Sequence, residues 1–447
     1  MKRSFAPAFG SALLAFCLAA PALAEVVIYD PAGGGPTPAL QYLAFEGGGY
    51  NNALAPTNSG PPAPELAKSP SVSGGSETAP TNSVTLLSGS PIWVLGAVNF
   101  RDTDPVSFNQ VFITGGNAST EVCGAFHQLQ NGETQALNNH VIVNGGTADL
   151  WVTGGQAYNR ASGNATASNN TVTISDGSAG GIRSGYGYTP QAGGGNATAN
   201  SNAVTISGGT VGTVISGYIF GPSGGNAIAS NNTVEIWDGV VRTSVIGGQT
   251  PVSAVSSIAS NNTVKISAAP PTLNLTTAQI YGGYATGATA SSTGNSLEIA
   301  AAAVGVTVNT VAYFQKLHFE LPPSLAPNAA MLTVTGAGAS RGLYLGTDAL
   351  VSVSAPGLLV NTGDTFTLID ATGATVFSGT AVTAPGSTLN GYTYTVERNA
   401  DMLLLIIGPA SGPTPSATAI PATGIGVLAA LGLLLAGLGF AALRRRT

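Results

Sequence analysis

A five-residue alternation of polar and apolar positions, Asn-x-Val-x-Ile or a near variant, returns eight times along the chain. The copies begin at Asn82, Asn109, Asn139, Asn170, Asn202, Asn232, Asn262 and Asn295, at spacings of 27 to 33 residues. A period this regular marks a repeat architecture. Within each copy the apolar residues alternate with Thr, Glu or Lys, the period of two expected of a half-buried strand, with Val234 and Ile236 inward and Glu235 outward. Each strand then meets a turn. Asp176-Gly177, Ser207-Gly208-Gly209 and Asp238-Gly239 supply the positive-φ residues that a reversal needs.

A second apolar piece follows about ten residues later, as in 150–155, 214–218, 245–248 and 279–284, and each ends in glycines read as another corner. A polar return such as 163–169 or 225–231 closes the unit. One such coil has no core of its own. Stacking coils at about 4.8 Å buries Val on Val and Ile on Ile, so the pattern predicts a β-solenoid of roughly 40 Å, lengthened by its flanks. The recurrent Asn is expected to stack along the rod, its amides bonding to one another and to the corner backbone. Triplets such as Asn164-Ala165-Thr166 that fit the glycan-acceptor rule are by-products of this composition.

The repeat occupies 81–310. The stretch 311–407 reads as a C-terminal β section or cap, since the last coil would otherwise leave an unpaired edge. Residues 25–80 form a Gly/Pro-rich segment in which Pro31 to Pro80 predicts mostly loop, and 408–419 is a Pro/Ser/Thr/Gly-rich linker.

The two ends carry targeting patterns. Residues 1–24 open with Lys2 and Arg3, run through an apolar stretch and close on Ala22-Leu23-Ala24, the small-x-small pattern of a signal peptide cleaved after Ala24. At the other end, 424–443 is an uncharged, almost wholly apolar run of 20 residues, long enough for a single transmembrane helix. Arg444, Arg445 and Arg446 follow as a cytoplasmic basic stop, which leaves the body outside the cytoplasm. Just before the helix stands Ile420-Pro421-Ala422-Thr423-Gly424. Motif, helix and arginines together (420–447) resemble the bacterial C-terminal sorting signals, of the IPTL type or the LPXTG type. That resemblance implies a membrane-bound sorting protease as a partner.

The Gly163–Ile174 repeat, the Tyr281-Gly282-Gly283-Tyr284 piece and the Asn361–Asp370 segment resemble the passenger regions of autotransporter-type adhesins. The resemblance covers Asn82 to Ile407 and implies a right-handed parallel β-helix. A single apolar helix stands where an autotransporter carries its membrane β-barrel.

Composition narrows the chemistry. Only 8% of residues are charged, against about 25% in ordinary domains, while 44% are hydrophobic, enough to pay for ordering. No Lys/Arg run lies outside the termini, so no nucleic-acid partner is expected. Cys17 lies in the leader, and Cys123 is left alone as a small hydrophobe. His127, His140 and His318 are scattered away from carboxylate pairs, and no metal or cofactor is expected. Arg101, Asp102 and Asp104 read as an exposed turn rather than a catalytic cluster.

No catalytic residue is named. The expectation is an exported, membrane- or surface-anchored, adhesin-like structural rod rather than an enzyme. Tyr186, Tyr188, Tyr218, Tyr281 and Tyr284 are candidates for contact with a glycan or cell-surface ligand. The alternatives are a carbohydrate-active β-helix enzyme, which clustered acids on one face would favour, and a self-assembling surface-layer or matrix component.

Overall fold

The Asn-x-Val-x-Ile segments stack in register. In the computed structural model, Val84, Val111, Val141, Val172, Val204, Val234, Val264, Leu297, Leu317 and Val351 are successive partners in one parallel ladder. All of them are buried. The structure describes the backbone of 25–29 and 42–44 and then residues 82–411, apart from breaks at 91–92, 100–102, 190–194, 222–224, 251–253, 288, 327–328 and 337–340. The leader 1–24, the linker from 412 on, the motif 420–424, the apolar run 424–443 and Arg444 to Arg446 lie outside the described residues. Among the described residues no helix is long and apolar enough to cross a membrane.

The chain is an all-β parallel solenoid of about nine turns. Each central coil has three sides. The first side is the Asn-x-Val-x-Ile strand. The chain then turns at a positive-φ glycine, Gly177, Gly209 or Gly239. In two of these turns the preceding Asp carboxylate accepts the glycine N–H, at 2.7 Å from Asp176 and 2.6 Å from Asp238. The second side follows within the same long strand, as in Thr171–Tyr188 and Thr233–Thr250. Val152, Ile182, Val214, Val245 and Ile280 point from it into the core, fully buried. The polar return is itself a strand. Ala165–Ser168, Ala197–Thr198 and Asn226–Ile228 belong to a seven-stranded third sheet.

The three sides meet along one row of asparagines. The Nδ2 of Asn109, Asn139, Asn170, Asn202, Asn232 and Asn262 each donates to the Oδ1 of the next, over 2.8 to 3.2 Å. The same oxygen accepts the backbone N–H of the Asn below it. In five of them Nδ2 also donates to a third-side carbonyl, that of Ser107, Val106, Ala136, Ala167 or Ala229. The residue before each Asn sits in the left-handed region: Phe108, Asn138, Asn169, Ser201, Asn231 and Asn261 have φ between 55° and 59°. Asn tolerates that region well, which explains the Asn-Asn doublets.

The glycines expected as corners between the second side and the return are not corners. Gly155, Gly185, Gly217, Gly248 and Gly283 lie inside or beside continuous strands, without positive φ, against the asparagine row. A Cβ on Gly185 would come within 2.3 Å of Asn202 Nδ2, and one on Gly217 within 2.3 Å of Asn232 Nδ2. Glycine is required here by close approach. The row divides the interior in two. On one side lies the Val/Ile core, and on the other a thin layer of Ala157, Ala165, Ala167, Ala197, Ala199, Ala227 and Ala229.

Both ends depart from the repeat. Glu25–Tyr29 pairs with Asn82–Leu86 and Tyr42–Ala44 with Trp93–Leu95, so the N-terminal segment adds strands ahead of the first repeat. Toward the C-terminus the third side stops at Ala290–Ser291. Tyr313, at φ 63°, turns the chain straight back to the first side, and Ser296 to Ile299 pair with Lys316 to Phe319. The asparagine row ends at the same place, where Asn295 N–H donates to Gln315 Oε1 at 3.0 Å. Beyond it Tyr392–Asn399 and Met402–Ala410 form an antiparallel hairpin whose second strand lies antiparallel to Thr365–Asp370. A reversed pair on the Thr365–Asp370 strand closes an edge that a further copy could otherwise extend.

Replacing Asn202 by Ala strands the Asn170 donors and the Ala167 carbonyl. At about 1–3 kcal/mol per stranded buried group, a loss of roughly 3 kcal/mol or more is expected. Thr205→Ala, on the outward face of the same strand, should stay within about 0.5 kcal/mol. Urea midpoints and amide exchange around 165–235 check both values, and equal effects would deny the row its role.

Candidate ligand-binding face

In a straight strand, residues i and i+3 point to opposite faces. On the second side they meet. Leu95, Val98, Cys123 and Phe126 form one apolar cluster apart from the core, and the Arg183 guanidinium lies 4.3 Å from the centre of the Tyr186 ring. The strand must therefore bend at the intervening pairs, Gly96-Ala97, Gly124-Ala125 and Ser184-Gly185. These are the positions pressed against the asparagine row. Ser184 Oγ fixes the bend by bonding to the carbonyls of Asn170 (2.6 Å) and Ala203 (2.7 Å), and Ser216 Oγ reaches Asn202 O at 2.8 Å. Outward side chains on either side of the bend converge on a groove that follows the rod.

Stacking makes the groove aromatic. Gln156, Tyr186, Tyr218, Gln249 and Tyr284 occupy one row, and Tyr158, Tyr188 and Phe220 another. Ring centres are 4.1 Å apart for Tyr158 and Tyr188, 5.5 Å for Tyr188 and Phe220, and 5.3 Å for Tyr186 and Tyr218. Phe220 is 47% exposed, so the stack opens to solvent. Of the five tyrosines singled out from sequence, Tyr186, Tyr188 and Tyr218 share this cluster. Tyr281 and Tyr284 join Tyr313 in a second one, at 5.9 and 5.8 Å, with the Gln249 coil between the two.

The polar part of the groove was not anticipated from sequence. Glu121 and Trp151 are register partners, as are Thr153 and Arg183. Arg183 Nη2 reaches Glu121 Oε1 at 3.0 Å across the intervening coil, and Thr153 Oγ1 donates to the same oxygen at 2.6 Å. The guanidinium lies between Trp151, at 4.4 Å, and Tyr186. The pair is buried, as a charge pair can be when each partner is compensated. The spacing of 121 and 151, and of 153 and 183, by one coil each was the signal that could have shown it. Burial, aided by a hydrogen bond with Tyr188, pushes the Tyr158 hydroxyl up to about 12. Burial lifts Tyr186 further, against the opposing pull of Arg183. Burial, and then the Glu121 carboxylate, raise the Cys123 thiol.

The first side carries a second outward cluster. Glu235, Lys265, Glu298 and His318 are successive register partners. Lys265 Nζ lies 2.8 Å from Glu235 Oε1, and this bond, with Glu298 and Glu320 adding, holds its ammonium above the usual lysine range. His318 Nδ1 is 2.9 Å from Ser352 Oγ. The shortened coil places His318 beside Glu298. His127 is buried in the thin layer, its Nδ1 accepting Gln135 N–H at 2.8 Å. His140 edges a cleft of about 190 Å³ with Phe108, Asn138 and Asn169. Of the charged turn at 101–104, Asp104 is described, its carbonyl accepting from Asn99 Nδ2 at 3.0 Å. Among the described residues no group of three or more His, Cys, Asp or Glu could hold a metal ion.

Comparison of the chain with protein-family models, curated proteins and solved structures finds no match.

An unfolded tyrosine loses its proton near pH 10, whereas folded Tyr158 keeps its own to about 12. The unfolded state therefore sheds protons first, and stability falls as pH rises through that window. Thermal midpoints across alkaline pH should decline and Tyr158→Phe should flatten the decline; an unaltered slope would contradict the assignment. Thiol reagents should leave Cys123 untouched until the chain unfolds.

Proposed function

We propose that this chain is an exported, surface-anchored rod of adhesin type that binds a glycan or another cell-surface ligand along the second-side groove. The stack of Tyr158, Tyr188 and Phe220 beside Tyr186 and Tyr218 carries the reading. Rigid aromatic side chains repeated at coil spacing offer contact along their edges at low entropic cost, and the tyrosines add hydroxyl tips for polar contacts. A glycan is a repeating ligand, and a repeating surface can meet it several times over.

Export and anchoring rest on the ends of the chain. The leader closing on Ala22 and Ala24, the motif from Ile420 to Gly424, the apolar run 424–443 and Arg444 to Arg446 support a signal peptide, a membrane helix and a sorting protease as partner. The autotransporter-like repeat supports a right-handed coil sense. A body free of catalysis belongs to the same proposal.

One observation favours a second reading, a carbohydrate-active enzyme. Glu235, Glu298 and Glu320 gather around Lys265 on the outward first side, with His318 and Ser352 next to them. Carboxylates beside a cation are what acid–base cleavage of a polysaccharide needs.

The test is binding of purified mature full-length chain to a panel of polysaccharides. Tyr188→Ala and Phe220→Ala should each weaken binding about tenfold or more, the size of a lost aromatic anchor; undiminished binding would remove the groove from the proposal. If the second reading holds, wild type will release new reducing ends and Glu298→Gln will not. In the native host, intact mass should show the tail cut near Ile420 to Gly424 in wild type and retained in Pro421→Ala. A tail intact in both would make it a plain anchor.

A further inference from the structure

Two polar atoms inside the groove are buried and take no hydrogen bond: Arg183 Nε and Gln156 Oε1. Their residues are only 8% and 7% exposed. Buried groups of this kind are normally satisfied, and an exception points to a missing partner. The two belong to one cell of the groove. Thr153 and Arg183 are register partners on neighbouring coils, as are Gln156 and Tyr186, so the four residues form its corners, with Gln156 and Arg183 on the diagonal. Trp151 and Tyr158, both half-buried, stand on the coil of Gln156 on either side of it and form the rim.

The missing partner has a definite chemistry. Arg183 cannot lose its proton, so Nε–H requires an acceptor, and Oε1 of Gln156 requires a donor. A hydroxyl group is both at once. The positive charge is already matched, since Glu121 accepts from Arg183 Nη2 at 3.0 Å. A second anion would meet the Glu121 carboxylate and gain no net attraction. The rings of Tyr158 and Tyr188 beyond it, stacked on each other at 4.1 Å, turn their edges outward and offer apolar contact to a sugar carrying that hydroxyl.

We infer that the cell formed by Thr153, Gln156, Arg183 and Tyr186 is the specificity subsite of the groove, taking one hydroxyl of a neutral sugar and discriminating against acidic sugars. The inference rests on the reading of the groove as a glycan-binding face. Arg183 and Gln156 are its polar determinants, and Glu121 is a positioning residue that holds the guanidinium while cancelling its charge.

The experiment is calorimetric titration of the mature full-length chain with oligomers of glucose, mannose and galactose, the matching oligouronates, and singly deoxygenated versions of whichever neutral oligomer binds. The neutral oligomer should bind at least about tenfold more tightly than its uronate. One deoxy analogue should lose about tenfold against wild type and nothing further against Gln156→Leu, a coupling that a merely structural role would not produce. Gln156→Leu is the primary variant because Oε1 has no bond to lose; Arg183→Lys, which keeps the charge and removes Nε–H, is the second. If no oligomer binds and Phe220→Ala changes nothing, the groove reading itself fails. If an oligomer binds and Phe220→Ala weakens it while Gln156→Leu does not, or if the uronate binds as well, the groove stands, the subsite is refuted, and the cell holds only a buried water.

Discussion

The asparagine row is the constraint from which the rest of the molecule follows. A three-sided coil of about 30 residues must bring three backbones together at one line, and the amide and carbonyl groups there point into an apolar interior. Leaving them unpaired would cost about 1–3 kcal/mol each. A carboxamide carries two N–H donors and an acceptor oxygen on one short side chain, so it bonds the next coil, the preceding coil and the third side at once. Stacked at coil spacing, each amide finds an identical neighbour. The row can end only where another carboxamide receives it or the three-sided plan stops, and here both occur at Gln315.

Space for the row comes from the second side. A glycine column gives way to the amides, and the backbone drawn toward them bends the strand. The bend has two results. Inward, it leaves room for nothing larger than alanine over most of the layer facing the third side. Outward, it folds one strand face onto the next and creates a groove on what would otherwise be a flat sheet. The same amides that hold the coils together therefore shape the surface that carries Trp151, Arg183 and the stacked tyrosines. A structural demand in the interior and a recognition surface outside are two sides of one backbone distortion.

The loss of the third side has a parallel effect. Once Tyr313 returns the chain early, residues 20 apart become neighbours where residues 30 apart had been, and Ser296 pairs with Lys316. His318 and Ser352, which fall off the spacing of the earlier repeats, then join Lys265 and Glu298, which hold the same position of successive repeats. The groove is a regular product of the repeat, and this cluster is completed where the repeat fails.

The strands, their inward and outward faces, the stacking and the role of the asparagines were legible in the sequence. Side-chain alternation and repeat spacing are local properties, and a stacked coil reads them out directly. Tyr186 and Tyr218 were visible for the same reason, since they stand one coil apart, with Tyr188 two residues beyond Tyr186 on the same strand. The Glu121–Arg183 pair, 62 residues apart, was decided by tertiary structure, because it depends on how many residues each intervening coil contains. So was the meaning of the glycines, which look like corners until the amides they make room for are in place. The bend that places residues three apart on one surface breaks the period of two on which sequence reading relies. Its cause is an approach between sides of the coil that no single segment records.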